Sequence, residues 1–230
     1  MNTKICVVIT AKNFQALKKM IKRAEEVSTD LIEIRFDYLM NKLDTSVVRK
    51  LTKLPLIATN RLAGEGGVTK IAETERLNTL ICAANSGFDY VDVELATRDV
   101  EKVIKNIKAS GSKAIVSFHD FNSTPSLINL SKILKNEIKV GAEVCKIVTT
   151  AKRRLDNLTC LEFVTHASKK VPIVCFCMGT MGIPSRLLTP LFGAAFTYAS
   201  IQRGRESASG QLNAIAMRKI FGLMGYSIGN

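Results

Sequence analysis

The chain has 230 residues, enough for one large domain or two small ones, and apolar residues make up 47% of it, so a sizeable core can form. No apolar run approaches the roughly 20 residues of a membrane helix, the first residues lack a signal-peptide layout, and six cysteines scattered through apolar segments do not indicate a disulfide framework. We therefore expect a cytoplasmic protein with no membrane association. The formal charge of +13 could indicate nucleic-acid binding or an anionic substrate, but the lysines are spread along helical faces without interleaved aromatic residues, which favours a solvated basic surface and no nucleic-acid partner.

Hydrophobic periodicity alternates between two residues and 3.6 residues along the chain, which predicts alternating strands and helices. Strands are predicted over residues 4–10, 31–37, 55–61, 90–95, 113–119, 143–150, 172–178 and 196–200. Helices are predicted over about 13–27, 45–53, 69–85, 99–109, 124–138, 155–169, 184–194 and 211–223. Within the fifth helix, Thr124 is predicted as the N-cap and Pro125 as the first helical residue.

Eight strand–helix units without a linker or repeat predict an α/β fold with a parallel sheet. Their number and total length fit a (β/α)8 TIM barrel, whose usual size is roughly 250 residues, as a single domain over residues 1–230. A doubly wound open sheet is the competing architecture. It would need a glycine-rich phosphate loop after the first strand, and residues 11–14 do not form one.

Several predicted strands carry charged or polar residues on one face only. Placed outward, these side chains would be buried beneath helices at a cost of several kcal/mol each, whereas inside a barrel they can pair or bind a polar ligand. Many occur late in their strands, at the end where barrel enzymes have their active sites. A structural ion-pair network is the alternative explanation for Asp37, Asp92 and Glu94. The residues that share a face are Glu33, Arg35 and Asp37; Thr59 and Arg61; Asp92 and Glu94; and Ser117 and His119.

Lys146 stands in the middle of the apolar, β-branched sixth strand. An ammonium group in such a place loses hydration, which favours the neutral amine, and lysines of this kind form Schiff bases with carbonyl substrates. Pairing with a buried carboxylate, or reaching to a polar rim, is the alternative. His119 ends the preceding strand and could move protons near pH 7, whereas His166 falls on an ordinary amphipathic helix and is not expected to have a catalytic role.

Metal and phosphate sites have little support in the sequence. Cys175 and Cys177 are closer in sequence than the usual pair of zinc ligands and lack two further ligands. The glycine-rich residues 64–67 lack the lysine and hydroxyl residue of a phosphate-binding P-loop. We therefore predict no metal site.

Six ordered segments, spread from the second strand to the start of the last helix, resemble the type I 3-dehydroquinate dehydratases, and the likeness extends from the first strand to the last helix. They are 33–37 (EIRFD), 60–67 (NRLAGEGG), 117–121 (SFHDF), 145–147 (CKI), 178–186 (MGTMGIPSR) and 207–211 (SASGQ). The resemblance implies a (β/α)8 barrel, usually a homodimer, that needs no metal or organic cofactor. It also implies dehydration of 3-dehydroquinate to 3-dehydroshikimate, the third step of the shikimate pathway to chorismate and the aromatic amino acids.

The same resemblance implies roles for nine residues. Lys146 matches the lysine that forms an imine with the substrate ketone, His119 the general acid and base, and Glu65 the carboxylate that orients this histidine. The residues that match substrate contacts are Arg186 for the carboxylate, Glu33, Arg35 and Arg61 for the ring hydroxyls and polar rim, and Ser207 and Gln211 on the mobile loop after the eighth strand.

Three positions depart from the pattern of the family. Phe176 stands where methionine is common, Tyr198 where phenylalanine is common, and Ser209 where proline is frequent. A class I aldolase on the same barrel, which would also use a lysine imine, stays as an alternative function. A basic nucleic-acid-binding module is the alternative from another class.

Overall fold

The computed structural model describes residues 3–226, which form a barrel of eight parallel strands surrounded by helices. The strands are β1 Ile5–Ile9, β2 Leu31–Arg35, β3 Leu56–Thr59, β4 Tyr90–Glu94, β5 Lys113–His119, β6 Val144–Thr150, β7 Ile173–Met178 and β8 Thr197–Ser200. The α-helices are α1 Phe14–Glu26, α2 Thr45–Arg49, α3 Glu73–Asn85, α4 Val100–Ala109, α5 Leu127–Lys139, α6 Leu155–Ala167, α7 Ile183–Leu188 and α8 Ala214–Leu223. Short 3-10 helices cover Phe36–Tyr38, Ala63–Glu65, Thr180–Gly182 and Thr189–Phe192.

The strands pair in sequence order from β1 to β7, and β8 pairs with β1. Every pairing is parallel, and the ring is almost closed because the amide of Ala195 donates to the carbonyl of Ile173 (2.7 Å) across the gap between β7 and β8. The predicted (β/α)8 barrel is confirmed, and the alternative of an open, doubly wound sheet is wrong.

Alternate residues of each strand divide the apolar core into an outer and an inner part. In β1, Val7 packs outward against the helices, whereas Cys6 and Val8 face the barrel interior. The inner cluster also contains Leu31, Ile57, Ile115, Val144, Val174 and Phe196. Because these apolar side chains come mostly from the early part of their strands, the amino-terminal half of the interior is a packed core and the charged side chains lie in the carboxyl-terminal half.

Acidic residues at the amino-terminal end of the barrel have a structural task. Each of three carboxylates stands just before a strand and accepts a hydrogen bond from an amide near the start of the preceding strand. The bonds run from Ile5 to Asp30 (2.7 Å), from Leu56 to Asp89 (2.9 Å) and from Ala114 to Glu143 (3.0 Å). They satisfy amides that the parallel pairing leaves free. The carboxylates at this end of the barrel therefore stabilise the fold.

The predicted start of the fifth helix is wrong. Helix α5 begins at Leu127 with Ser126 as its N-cap, whose hydroxyl accepts a hydrogen bond from the amide of Asn129 (3.4 Å). The hydroxyl of Thr124 instead donates to the carbonyl of Thr150 at the end of β6 (3.0 Å). Thr124 therefore ties the loop to the barrel and does not cap the helix.

Other boundaries also differ from the prediction, and β3 ends at Thr59, which leaves Arg61 beyond the strand. Strand β2 ends at Arg35, so Asp37 lies in a 3-10 helix. The helix predicted over 184–194 ends as an α-helix at Leu188, because Pro190 has no amide to continue it and a 3-10 turn follows. Helix α8 starts only at Ala214, capped by Asn213. Among residues 3–226, every helix is too short or too polar to cross a lipid bilayer.

Candidate active site

A cavity opens at the carboxyl-terminal end of the barrel and contains all nine residues predicted for the site. Strands β1, β2, β5, β6, β7 and β8, the segments that follow several of them and the segment after β3 supply its walls. The lining residues from the prediction are Glu33, Arg35, Arg61, Glu65, His119, Lys146, Arg186, Ser207 and Gln211, and those beyond it include Phe121, Phe176, Met178 and Tyr198. The folded chain therefore brings together residues that are up to 178 positions apart in sequence.

Lys146 points into the barrel and is 4% exposed. Its Nζ lies 2.7 Å from Oδ2 of Asp92 and 3.5 Å from Oε1 of Glu33. The centroid of the Tyr198 ring is 4.4 Å from the same nitrogen. The lysine thus has the predicted interior position, and the alternative suggested by the sequence, pairing with a buried carboxylate, is present as well.

Asp92 connects the lysine to Arg61. Besides Lys146, Oδ2 of Asp92 contacts Nη2 of Arg61 at 2.8 Å. The hydroxyl of Ser117 donates to Oδ1 of Asp92 (2.7 Å). Burial opposes the ionisation of Asp92, but the adjacent Arg61 and Lys146 cations outweigh that effect and lower its pKa. Asp92 is therefore a permanent counter-ion beside the amine and cannot serve as its base near neutral pH.

The ion pairs continue from Arg61 to the outer helices. Arg61 lies 2.9 Å from Glu94, whose other oxygen is 2.6 Å from Arg76 on α3, and Arg76 also pairs with Glu73 at 2.8 Å. The structural network considered for Asp92 and Glu94 is confirmed. Arg76 was not predicted, because an arginine three residues after a glutamate in a helix has the pattern of an ordinary surface pair.

Arg35 and Asp37 form a two-pronged pair beside the loop that carries Glu65. Nε and Nη2 of Arg35 donate to the two carboxylate oxygens of Asp37 at 2.8 and 2.7 Å. Arg35 also donates to the carbonyl of Gly66 (3.2 Å), and the amide of Val68 donates to Asp37 (3.2 Å). This pair therefore fixes the loop at Gly66 and at Val68, next to Glu65.

His119 and Glu65 form a second pair, with Nδ1 of the imidazole 2.8 Å from Oε2. Burial raises the pKa of Glu65 to about 7. Burial, with the nearby Arg61 and Lys146 cations, lowers the pKa of His119 well below its ordinary value. The imidazole is consequently neutral near pH 7 and able to accept a proton.

Phe121 and Gly66 close this side of the cavity. The Phe121 ring stacks on the imidazole of His119, with centroids 6.3 Å apart and planes 21° apart. Gly66 has φ of 85°, and a Cβ atom there would lie 2.8 Å from the Phe121 ring. Only glycine fits this left-handed turn without moving the aromatic ring.

Arg186 supplies a buried positive charge on the opposite wall. It lies on α7, is 2% exposed, and its guanidinium carbon is 4.1 Å from the centroid of the Phe176 ring. Its Nε and Nη2 have no hydrogen-bond partner in the part of the chain that the structure describes. Burial lowers its pKa to about 10, which leaves it cationic at neutral pH. A planar anion such as a carboxylate would satisfy both charge and geometry.

The segment between β8 and α8 covers part of the cavity and carries the last two predicted residues. The amide and hydroxyl of Ser207 donate to Oε1 of Gln211 at 2.8 and 3.3 Å. The amide of Gly179, after β7, donates to the carbonyl of Ser209 (3.1 Å). We call residues 201–211 the lid, and in this structure the lid is in contact with the end of β7.

Within residues 3–226, no group of three or more histidine, cysteine and acidic side chains is arranged to hold a metal ion. The cavity instead combines one buried amine, one neutral imidazole with its carboxylate, and one unpaired guanidinium. Such a set can condense with a carbonyl group, move a proton and bind an anion.

The chain is similar to known proteins over nearly its whole length. The family model for type I 3-dehydroquinase matches residues 5–228. A 3-dehydroquinate dehydratase of Dehalococcoides mccartyi is 36% identical over 226 residues, covering 96% of both chains. The enzyme of the same name from Methanothermobacter thermautotrophicus is 35% identical, covering 96% of this chain and 97% of its own.

Solved structures give the same result. The type I 3-dehydroquinate dehydratase of Clostridium difficile superposes with a TM-score of 0.90 at 29% identity, over 97% of this chain and 92% of that one. A 3-hexulose-6-phosphate synthase has a TM-score of 0.59 at 16% identity, over 86% and 90% of the two chains, and shares the fold alone. The match over nearly the whole length, together with the buried amine, imidazole and guanidinium of the cavity, shows that the chain belongs to the type I 3-dehydroquinase family of 3-dehydroquinate dehydratases.

Proposed function

We propose that this chain dehydrates 3-dehydroquinate through an imine on Lys146. The observation that carries the proposal is the position of its Nζ, buried inside the barrel in a cavity that also contains His119 and Arg186, whose Nε and Nη2 have no partner among residues 3–226. Lys146 is the one lysine among the lining residues that the structure describes. The Clostridium difficile relative was solved with covalently modified comenic acid, which supports covalent chemistry in such a site.

The first step joins the amine to the ketone. Lys146 gives one proton to the imidazole of His119, its nitrogen lone pair attacks the C3 carbonyl carbon, and a second proton moves from the nitrogen to the carbonyl oxygen to give a neutral carbinolamine. His119 then returns its proton to the new hydroxyl group, the nitrogen lone pair forms the C=N bond, and the C–O bond breaks so that the oxygen leaves as water. Asp92 stays ionised beside the nitrogen and stabilises the iminium charge.

The second step uses the acidity that the iminium gives to the C2–H bond. The neutral imidazole of His119 takes that proton through Nε2, while Glu65 accepts the hydrogen bond from Nδ1–H and stabilises the imidazolium. The resulting enamine expels the C1 hydroxyl, which leaves as water with the proton from His119. Hydrolysis of the conjugated imine then releases 3-dehydroshikimate and restores the free amine of Lys146.

The remaining residues bind and enclose the substrate in this proposal. The two unpartnered guanidinium nitrogens of Arg186 bind the substrate carboxylate. Glu33, Arg35 and Arg61 hold the ring hydroxyls at the polar rim. Ser207 and Gln211 contact the substrate from the lid, which excludes water while the imine exists.

Trapping with borohydride tests the imine directly. Reduction in the presence of 3-dehydroquinate should add the mass of the reduced substrate adduct to the peptide that contains Lys146. Lys146→Met should abolish both the adduct and the formation of the conjugated product, followed by its ultraviolet absorbance. Lys113→Met, on an exposed strand end, is the matched control and should retain both. Normal turnover without an adduct on Lys146 would refute the mechanism.

We also propose the wider setting that the family resemblance implies. The 3-dehydroquinate is consumed in the third step of the shikimate pathway, in the cytoplasm, by a homodimer in which residues 1–230 of each subunit form one domain. The family match over residues 5–228 supports the single domain. Sedimentation velocity at two protein concentrations tests the dimer, and a monomer at both would contradict it.

A further inference from the structure

The face of the Tyr198 ring lies against the amine of Lys146. The distance from Nζ to the ring centroid is 4.4 Å, well within the range of a cation–π contact. Tyr198 is 3% exposed, so water does not compete for this face. Edge-to-face packing with Phe176 (6.2 Å between centroids, 64° between planes) and with Phe196 (5.5 Å, 67°) holds the ring in this orientation.

We propose that the π face of Tyr198 is a catalytic group that stabilises the positive charge on the Lys146 nitrogen as the iminium forms. This inference rests on the imine mechanism proposed above and assigns a role to a residue beyond the nine of the predicted site. The ring contributes through its electron-rich face, so the contribution is electrostatic and needs no proton transfer.

The number of N–H bonds on the nitrogen explains why a ring face is useful there. The ammonium group of Lys146 has three N–H donors, and Asp92 and Glu33 both lie close enough to interact with it. The protonated imine has a single N–H, which Asp92 can accept, while the charge persists and spreads onto carbon. A π face stabilises that charge without a donor, so its relative importance increases as the carbinolamine loses water.

The hydroxyl group of Tyr198 does not account for this arrangement. Its oxygen is buried and has no hydrogen-bond partner among residues 3–226. Burial raises the pKa of the phenol well above its ordinary value, so the ring is neutral and its face keeps the usual quadrupole. The contact with Lys146 therefore depends on the aromatic face, and phenylalanine at this position should preserve it.

Stepwise fluorination of the ring tests the proposal, because fluorine withdraws electron density from the face with little change in ring shape. Phenylalanine and its mono-, di- and trifluoro derivatives are placed at position 198, and the same series replaces Phe163, a buried residue of α6 in the core outside the barrel strands. The measurement is the 3-dehydroquinate concentration that gives half-maximal borohydride-trapped Lys146 adduct, with the melting temperature recorded for every variant.

The expected result is a progressive rise in that concentration along the 198 series, by roughly tenfold from phenylalanine to the trifluoro derivative, and no trend along the 163 series. A flat 198 series, or equal slopes at both positions, would overturn the proposal. If fluorinated chains unfold, Tyr198→Leu is compared with Tyr198→Phe, and equal half-maximal concentrations would overturn it too. Absence of any adduct in the unsubstituted chain would instead refute the imine mechanism, so the two failures are distinguishable.

Discussion

The Nδ1 atom of His119 lies 2.8 Å from Oε2 of Glu65, and burial moves the pKa values of the two groups in opposite directions. The pKa of Glu65 rises to about 7, whereas that of His119 falls below its ordinary value. Near pH 7 the pair thus alternates between a protonated carboxyl group and a carboxylate, with a neutral imidazole in both cases. Only the carboxylate accepts a hydrogen bond from Nδ1–H and leaves the lone pair of Nε2 free for the substrate.

The state of Glu65 should therefore set the acidic side of the pH profile. We expect kcat/KM to decrease as the pH drops below an apparent pKa of about 7, because protonation of Glu65 reverses the hydrogen bond to His119. Glu65→Gln should remove this limb and lower the plateau by roughly tenfold or more. Steady-state rates from pH 5 to 9 provide the measurement. An acidic limb that stays near pH 7 in Glu65→Gln would show that another group is responsible.

Asp92 should be essential for the stability of the barrel interior as well as for the amine. Asp92→Asn removes the carboxylate that Arg61 and Lys146 share and leaves two buried cations with one counter-ion fewer. We expect the free energy of unfolding to fall by about 3–5 kcal/mol, as for other broken buried ion pairs. Urea denaturation measures it. Asp99→Asn, in an exposed pair with Arg98, is the control and should leave the value unchanged.

The sequence was sufficient to predict the barrel, and to select nine residues that lie in one cavity, because two independent patterns agree. Strand periodicity placed Lys146 and His119 on interior faces of adjacent strands, and the structure puts both in one cavity. The order of six short motifs identified Glu65, Arg186 and Gln211, which lie outside the strands and which strand periodicity therefore could not place in the cavity. Side-chain alternation fixes which face a residue occupies, so these predictions do not depend on exact strand ends.

Partner choice within the site could not be predicted from the sequence. Periodicity gives a face but no distance, so the sequence left open whether Lys146 is a nucleophile or one member of an ion pair, and its amine in fact contacts Asp92. Arg76 belongs to the network only because α3 packs beside the end of β4. The predicted N-cap at Thr124 was wrong because the hydroxyl of Thr124 donates to the carbonyl of Thr150 at the end of β6. Local sequence propensity does not include such a tertiary contact.

Arg186 should contribute to substrate binding while its buried charge lowers the free energy of unfolding. Arg186→Met removes a buried cation whose Nε and Nη2 lack partners within the described residues, and replaces it with an apolar chain beside Phe176. We expect KM for 3-dehydroquinate to rise at least about tenfold, equivalent to about 1.4 kcal/mol of binding, and the free energy of unfolding to stay the same or increase. Arg98→Met, at an exposed position, should change neither quantity. An unchanged KM in Arg186→Met would contradict the carboxylate contact.

Glu137 should make the protein less stable as the pH rises. Its side chain on α5 is 0% exposed, and its carboxyl oxygens have no oxygen or nitrogen partner in residues 3–226, with the thiol of Cys145 as the adjacent polar group. Burial raises its pKa well above the ordinary value. As the pH increases past the ordinary value of about 4.3, the unfolded chain loses this proton while the folded chain retains it, so stability falls toward the raised folded pKa.

Glu137→Gln keeps the shape of the side chain and removes the titration. We expect the free energy of unfolding of the variant, relative to that of the unsubstituted chain, to increase between pH 5 and pH 8, because only the unsubstituted chain loses stability over that interval. Urea denaturation at both pH values measures the difference. Glu162→Gln, exposed on α6, should show no such change. A Glu137→Gln variant whose relative stability is the same at pH 5 and pH 8 would mean that Glu137 is ionised inside the folded protein.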